Sequence, residues 1–348
     1  MRLALNIGYV AATGDDEQVR LARHAEDLGY SCVWAAEAYG SDVVTMLTWV
    51  AAHTERIDVG SAIMQIPART PAMTAMTAAT LDTLSHGRFR LGLGVSGPQV
   101  SEGWHGVRFD KPLSRQREYV EIVRAALSRT TVTYEGEHFT LPLPDGPGKA
   151  LKLMLHPYRE DIPLYLAAVG PKNLELTGEV ADGWLGIFFA PEHAAVSMEP
   201  LRTGAARAGR DVAAIDVAVT VPVVLGDDVQ ACAEPLKGYT ALYVGGMGSR
   251  TQNFYNALAV RMGFGDAARE IQDLYLDRRQ RDAMAAVPFD LVDQTALVGP
   301  KERIAERLHA YAGAGVSTLS IAPYAETEEQ RRSVLTTVAE AMERAGLT

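Results

Sequence analysis

Short apolar runs of strand length alternate along this 348-residue chain with stretches whose apolar positions recur at helical spacing. The runs fall at residues 2–9, 31–35, 57–66, 88–94, 163–169, 183–188, 215–223 and 316–321. Helix signals sit between them. Asp15 precedes a helix predicted to reach Leu28, with Gly29 just beyond, and Asp42 precedes one reaching His53. Thr70 is placed to cap a third helix, with Pro71 at its first position and Met73, Met76, Leu81 and Leu84 near helical spacing before His86-Gly87 ends it. Further helices are predicted over 112–127, from Pro171 onward, over 191–208 and 301–312, and over 326–345, where Val334, Leu335, Val338 and Met342 share a face.

Three stretches break the alternation. Residues 96–112 carry no clear period, and residues 129–158 hold a small hairpin over 131–143 around a Glu-Gly turn. Residues 227–290 have helical segments but no good strand, with glycines at 238, 245, 246 and 248, and read as a partly mobile insertion. Strict β-then-α order predicts parallel strands with helical crossovers. The expected architecture is α/β, a (β/α)8 TIM barrel formed as a single domain over 1–348. A plain barrel needs about 250 residues, which leaves the remainder for these insertions. An open doubly wound sheet is the alternative, but only Gly8 and Gly14 flank the exit of the first strand, short of the glycine fingerprint such a sheet carries there.

Composition narrows the partners. A 47% hydrophobic chain can bury a large core. With 33 Lys plus Arg against 43 Asp plus Glu, the net charge of −10 is spread along the chain and argues against nucleic acid. Arg278, Arg279 and Arg281 form a short basic group without interleaved aromatics and read as a solvated helix face. Cys32 and Cys232 are too far apart to suggest a disulfide framework or a zinc site, so a reducing compartment is expected. The N-terminus reads as a first strand and not as a signal peptide, and no window approaches the ~18 apolar residues of a membrane span. A cytoplasmic protein is expected. The eight histidines show no ligand spacing, and no metal is expected.

In a barrel of this kind chemistry belongs at the C-terminal ends of the strands, which selects Tyr9, Glu37, Met64, Gln65, Ser96, Gly170, Phe188 and Pro323. Gly92, Gly94 and Gly97 leave the fourth strand's exit without bulk, so a backbone could approach a ligand there, or the glycines could simply turn the chain at the rim. A dinucleotide fingerprint is excluded, because no third glycine opens a helix and Pro98 follows. Gly170, Pro171, Lys172 and Asn173 begin a helix whose free N–H groups favour an anion. Spacing alone favours the reading that Gly-Pro is only a cap and Lys172 a surface lysine. No nucleophile elbow is present.

The run LDTLSHGRFRLGLG at 81–94 resembles the signature of the bacterial luciferase-like superfamily of flavin and deazaflavin enzymes. The stretches GVSGPQVSEGWHG and AAVGPKNLELTGEVADGW narrow the likeness to the branch that uses coenzyme F420, and it extends over nearly the whole chain. The resemblance implies an oxidoreductase passing a hydride between F420 and a small organic substrate, as a homodimer. The alternatives are an FMN-dependent monooxygenase and a non-catalytic flavin-binding protein. It further implies a cofactor phosphate at Gly170, Pro171, Lys172 and Asn173, and the other side of the cleft at Val95, Ser96 and Gly97. It also implies a bulge over Ala62, Ile63, Met64 and Gln65 with a cis bond at Ala62-Ile63. Family members carry an acidic residue where Glu37 stands, as candidate catalytic acid or orienting group, often followed by a histidine. Here Ala38 follows, which argues against a histidine-dependent proton transfer. Pro98 stands where sugar-phosphate dehydrogenases of the family place a glutamate, which disfavours that activity. His105 and Tyr9 are lesser candidates.

Overall fold

A computed structural model describes residues 1–9, 16–159 and 161–347. Eight parallel strands close into a barrel: β1 (Arg2–Gly8), β2 (Cys32–Ala35), β3 (Asp58–Ser61, resuming at Met64–Gln65), β4 (Phe89–Gly94), β5 (Leu164–Ala167), β6 (Gly183–Ile187), β7 (Asp216–Leu225) and β8 (Thr318–Pro323). Each pairs with the next, and β8 returns to β1 with Arg2 opposite Thr318. The predicted barrel is therefore the observed one. One strand escaped the sequence reading. Leu297–Gly299 pairs with the far end of β7 at Val223, Val224 and Leu225, and three residues are too few to show a period.

The alternation of the strands sorts side chains to two sides. Outward residues such as Leu5, Val33, Val59, Leu91, Leu166, Val219 and Ile321 are buried beneath the helices in one large core. Inside the barrel, Ala4, Cys32, Trp34, Tyr165 and Ala218 form a separate small cluster, with Trp34 edge-on to Tyr165 at 5.1 Å. Small residues make room for these two rings. A Cβ on Gly60 would lie 2.3 Å from the Trp34 ring, and one on Gly183 would lie 2.1 Å from that of Tyr165.

Helix starts follow their caps. Thr70 accepts from Met73 N at 3.2 Å ahead of Pro71–Leu84, and Asp42 accepts from Thr45 N at 2.7 Å ahead of Val43–Ala52. Asp15 and Gly14 lie outside the described residues; the first helix is Glu17–Asp27, and Asp16 before it instead accepts from Trp49 Nε1. The Pro71–Leu84 helix buries a face other than the one its large residues suggested. Thr74, Ala75, Ala78, Ala79, Leu81 and Asp82 are buried, while Met73, Met76 and Leu84 are 52%, 53% and 60% exposed. Small side chains bring this helix close to the barrel, and spacing could not tell that face from the methionine face.

The hairpin forms from Tyr134–Glu135 and Thr140–Leu141. Residues 227–290 fold into short helices around a second core that includes Leu236, Val244, Leu258, Ile271 and Leu291, and Phe188 at the exit of β6 joins it. Two of the glycines there have a packing reason: the Tyr275 side chain lies against Gly245 and Gly246, its Cβ 2.6 Å and its ring 2.4 Å from where their Cβ atoms would stand.

Candidate functional site at the barrel mouth

The strand exits converge at one end of the barrel, and the backbone there is unusual. Ala38, Ser96 and Phe188, which follow β2, β4 and β6, all have positive φ, at 142°, 60° and 55°. Non-glycine residues seldom adopt this conformation, and it concentrates at sites where tertiary contacts dictate the backbone. Ala62-Ile63 is a cis peptide bond, as the resemblance implied.

The predicted cofactor segments meet. A Cβ on Gly94 would stand 2.3 Å from Ile63 Cδ1 and 3.5 Å from the Cβ of Ala167. Ile63 therefore crosses the exit of β4 toward the exit of β5, giving a small apolar floor. Asn173 Nδ2 donates to Ala167 O at 3.3 Å and ties the start of the Pro171–Val180 helix to that floor. Ser96 and Gly97 follow close after β4, and Val95 packs down onto the main core. Gly92 has a different reason from ligand approach. Its Cβ would lie 1.8 Å from the Ser61 carbonyl oxygen, and the Ser61 hydroxyl donates to Gly92 O at 2.8 Å and accepts from Gly92 N at 2.9 Å. The neighbouring strand fills the space that the glycine leaves.

Glu37 is fully engaged. Its two oxygens accept from Arg69 Nη1 and Nη2, each at 2.7 Å, and also from Gln65 N at 3.1 Å and Val43 N at 3.4 Å, with its side chain 9% exposed. Arg69 also pairs with Asp42. His105 Nε2 donates to Gln65 Oε1 at 2.7 Å, so the loop after β4 is pinned to the exit of β3. Met64 is buried below.

At the start of the Pro171–Val180 helix, nothing lies within 4 Å of where a Gly170 Cβ would stand. Lys172 is 76% exposed and its ammonium is paired with Glu175, so backbone and not this side chain faces the turn most directly. Asn173 is committed within the protein, accepting from Gln116 Nε2 at 3.0 Å. Arg261, from the 227–290 stretch, donates to Val169 O at 3.0 Å and brings a guanidinium beside Gly170.

Tyr9 closes the β1 side. Burial, then Tyr243 and Tyr39, push its phenol up to about 12. Phe188 stacks on Tyr239 at 5.1 Å and touches Tyr243 and Tyr255. Pro323, by contrast, merely ends β8. Sequence reasoning missed Arg69, Arg261 and the tyrosines of the 227–290 stretch. Only the four-residue step from Tyr239 to Tyr243 hinted at a shared helix face.

Among the described residues no three or more His, Cys, Asp or Glu side chains stand together as a metal site, and no helix is long and apolar enough to cross a membrane. A Mycobacterium tuberculosis protein described as a putative coenzyme F420-dependent oxidoreductase is 43% identical over 92% of this chain and 94% of its own length. The 5,10-methylenetetrahydromethanopterin reductase of Archaeoglobus fulgidus is 29% identical over 84% of this chain and 85% of its own. The solved structure of the coenzyme F420-dependent tetrahydromethanopterin reductase from Methanopyrus kandleri superposes with a TM-score of 0.81 at 24% identity, covering 97% of this chain and 98% of that one, and so shares the fold. The sequence model of the luciferase-like monooxygenases matches residues 7–318, from the end of β1 to the start of β8, and with that match over most of its length this chain belongs to the luciferase-like monooxygenase family.

Proposed function

We propose that this protein is an F420-dependent oxidoreductase that transfers a hydride between the deazaflavin and a small organic substrate. The observation that carries the reading is the shape of the mouth, taken with the 43% identity to a relative described as F420-dependent. A small apolar floor of Ile63, Gly94 and Ala167 leads to an open helix start at Gly170. A planar ring system fits the first, and a phosphate, held by backbone N–H groups and the positive helix end, fits the second. Bound there, F420 would supply a ring carbon able to give or accept a hydride.

The chain's own residues orient and exclude. Ile63, lying over Gly94, faces the ring, the Gln65–His105 pair fixes the neighbouring edge, and Arg261 adds positive charge beside the phosphate position. Glu37 serves as a positioning residue, because a carboxylate that accepts four hydrogen bonds holds the exits of β2 and β3 in register. The FMN alternative rests on no feature of the site that F420 does not also satisfy. We propose in addition that the protein works in the cytoplasm, consistent with two buried free cysteines, and that it pairs as a homodimer through the exposed Met73, Met76 and Leu84 stripe.

The test is a fluorescence titration of cofactor-free protein with F420 and, separately, with FMN, on the parent and on Gly170→Val. Micromolar or tighter F420 binding is expected, with FMN weaker. Because no protein atom meets the Gly170 Cβ position, Gly170→Val should keep the parent's melting temperature yet lose at least about tenfold in F420 affinity, the cost of a displaced charge-assisted contact. Preferential binding of FMN, or an unaffected Gly170→Val, would sink the assignment.

A further inference from the structure

The aromatic group above the barrel mouth does more than close the second core. Phe188 and Tyr239 stack with an interplanar angle of 13°, Tyr239 and Tyr243 lie 4.6 Å apart, and Tyr243 meets Tyr255 edge-on at 4.8 Å. Phe188 follows β6 in a positive-φ conformation, so the group is set directly over a strand exit. From the opposite side of the mouth Tyr9, at the exit of β1, lies within electrostatic reach of Tyr243 and Tyr39. Tyr9 and Tyr39 are substantially exposed, while Tyr239, Tyr243 and Tyr255 are half-buried.

Two further features separate a binding wall from ordinary core packing. The Tyr255 hydroxyl has no hydrogen-bond partner among the described residues, although a buried phenol normally finds one, as Tyr30 does with Leu335 O, and the exposed Tyr9 and Tyr39 leave their hydroxyls open at the mouth. The groups acting through space on Tyr9, Tyr243 and Tyr255 are other tyrosines, with no charged side chain among them. The wall is therefore neutral, offers O–H donors, and presents ring faces.

We propose that Phe188, Tyr239, Tyr243 and Tyr255, with Tyr9 opposite, recognise the substrate, and that the substrate is a flat, uncharged molecule carrying an acceptor oxygen, such as a cyclic ketone, enone or quinone. Its ring packs on the aromatic faces and its oxygen accepts from the free phenols. This inference rests on the oxidoreductase reading for the identity of the bound molecule as substrate, but its binding chemistry is testable without the cofactor.

The experiment is calorimetric titration of the cofactor-free protein with menadione, a flat neutral quinone, and with 2-methylnaphthalene, which has a similar shape without the oxygens. The parent should bind menadione saturably. Tyr9→Phe and Tyr255→Phe should each weaken menadione by about 3- to 10-fold, the worth of one neutral hydrogen bond, and leave 2-methylnaphthalene unchanged. Tyr243→Leu should weaken both. If that variant fails to fold, the two phenylalanine variants decide alone. Absence of saturable menadione binding, unchanged affinity in both phenylalanine variants, or displacement of menadione by glucose 6-phosphate would overturn the proposal. F420 binding, followed separately by its own fluorescence, reports on the oxidoreductase reading, so the two can fail independently.

Discussion

Glu37 shows how a single residue changes meaning between sequence and structure. At the end of a barrel strand an acidic side chain suggests proton transfer, and the chain itself offers no hint of its partner. Arg69 lies 32 positions away, after a cis bond and a short 3-10 turn, and reaches back with both guanidinium nitrogens. Its four hydrogen bonds leave the carboxylate bridging the exits of β2 and β3. Glu37→Gln keeps the size and some of the hydrogen bonding. It should lower turnover by loosening that bridge while leaving the shape of the pH–rate profile unchanged, the outcome expected of a positioning residue. Disappearance of one limb of that profile in the variant would restore Glu37 as the acid. Lys172 makes the same point in reverse, as a charge beside the expected phosphate that the fold spends on Glu175.

Among the elements, the Pro71–Leu84 helix was legible in its start and length but not in its orientation. Thr70 and Pro71 mark the start through local chemistry that needs no tertiary partner. The buried face is decided by how closely the helix lies on the barrel, and the alanines permit an approach that methionine would block. Met73, Met76 and Leu84 are left as an outward apolar stripe, with Thr80 between them. If this stripe joins two copies, Met76→Glu places an unpaired charge in the interface, a change that costs several kcal/mol in a desolvated contact. Sedimentation at micromolar protein should then show a dimer for the parent and a monomer for the variant. A parent that sediments as a monomer would end the homodimer proposal. The interrupted third strand is similar: the sequence run over 57–66 is continuous, but the register is broken at Ala62-Ile63, where β4 takes up Met64 and Gln65 opposite Leu93 and Gly94.

For the molecule as a whole, the end of the barrel away from the mouth is held by one charged group of residues. Asp216 on β7 accepts from Ser317 at 2.7 Å, from Thr318 at 2.8 Å and from Tyr165 at 2.8 Å, and it pairs with Arg2 at 3.0 Å and Arg90 at 3.4 Å. Strands β1, β4, β5, β7 and β8 are thereby tied at one point. Burial pushes the Asp216 carboxyl up, but the Ser317 hydroxyl, the Arg2 charge, Thr318 and Tyr165 outweigh it and hold it below its ordinary value. With a depressed folded pKa, its stabilisation is complete above the unfolded value of about 3.9 and is lost as pH falls through the folded one. Asp216→Asn should therefore cost about 3 kcal/mol at neutral pH, by leaving the arginines without their shared anion, and should lose less further stability than the parent on acidification. Parallel melting curves of the two proteins from pH 7 to pH 3, with an equal slope in both, would assign the acid sensitivity to other carboxylates.

The sequence by itself determined the order of the eight barrel strands, the caps at Asp42 and Thr70 and the positions of the strand exits. These depend on period and on neighbours within a few residues, which are written locally. It also carried the family signature over 81–94, and through it the cis bond. Only the tertiary structure decided what the exits hold: that Glu37 faces Arg69, that Ile63 covers Gly94 beside Ala167, that Arg261 reaches Val169, and that Tyr9 faces the tyrosines of a segment far along the chain. Such contacts arise when the barrel closes and the 227–290 stretch folds across its mouth. Closure brings together residues whose separation in sequence has no period, so no local pattern could have recorded them.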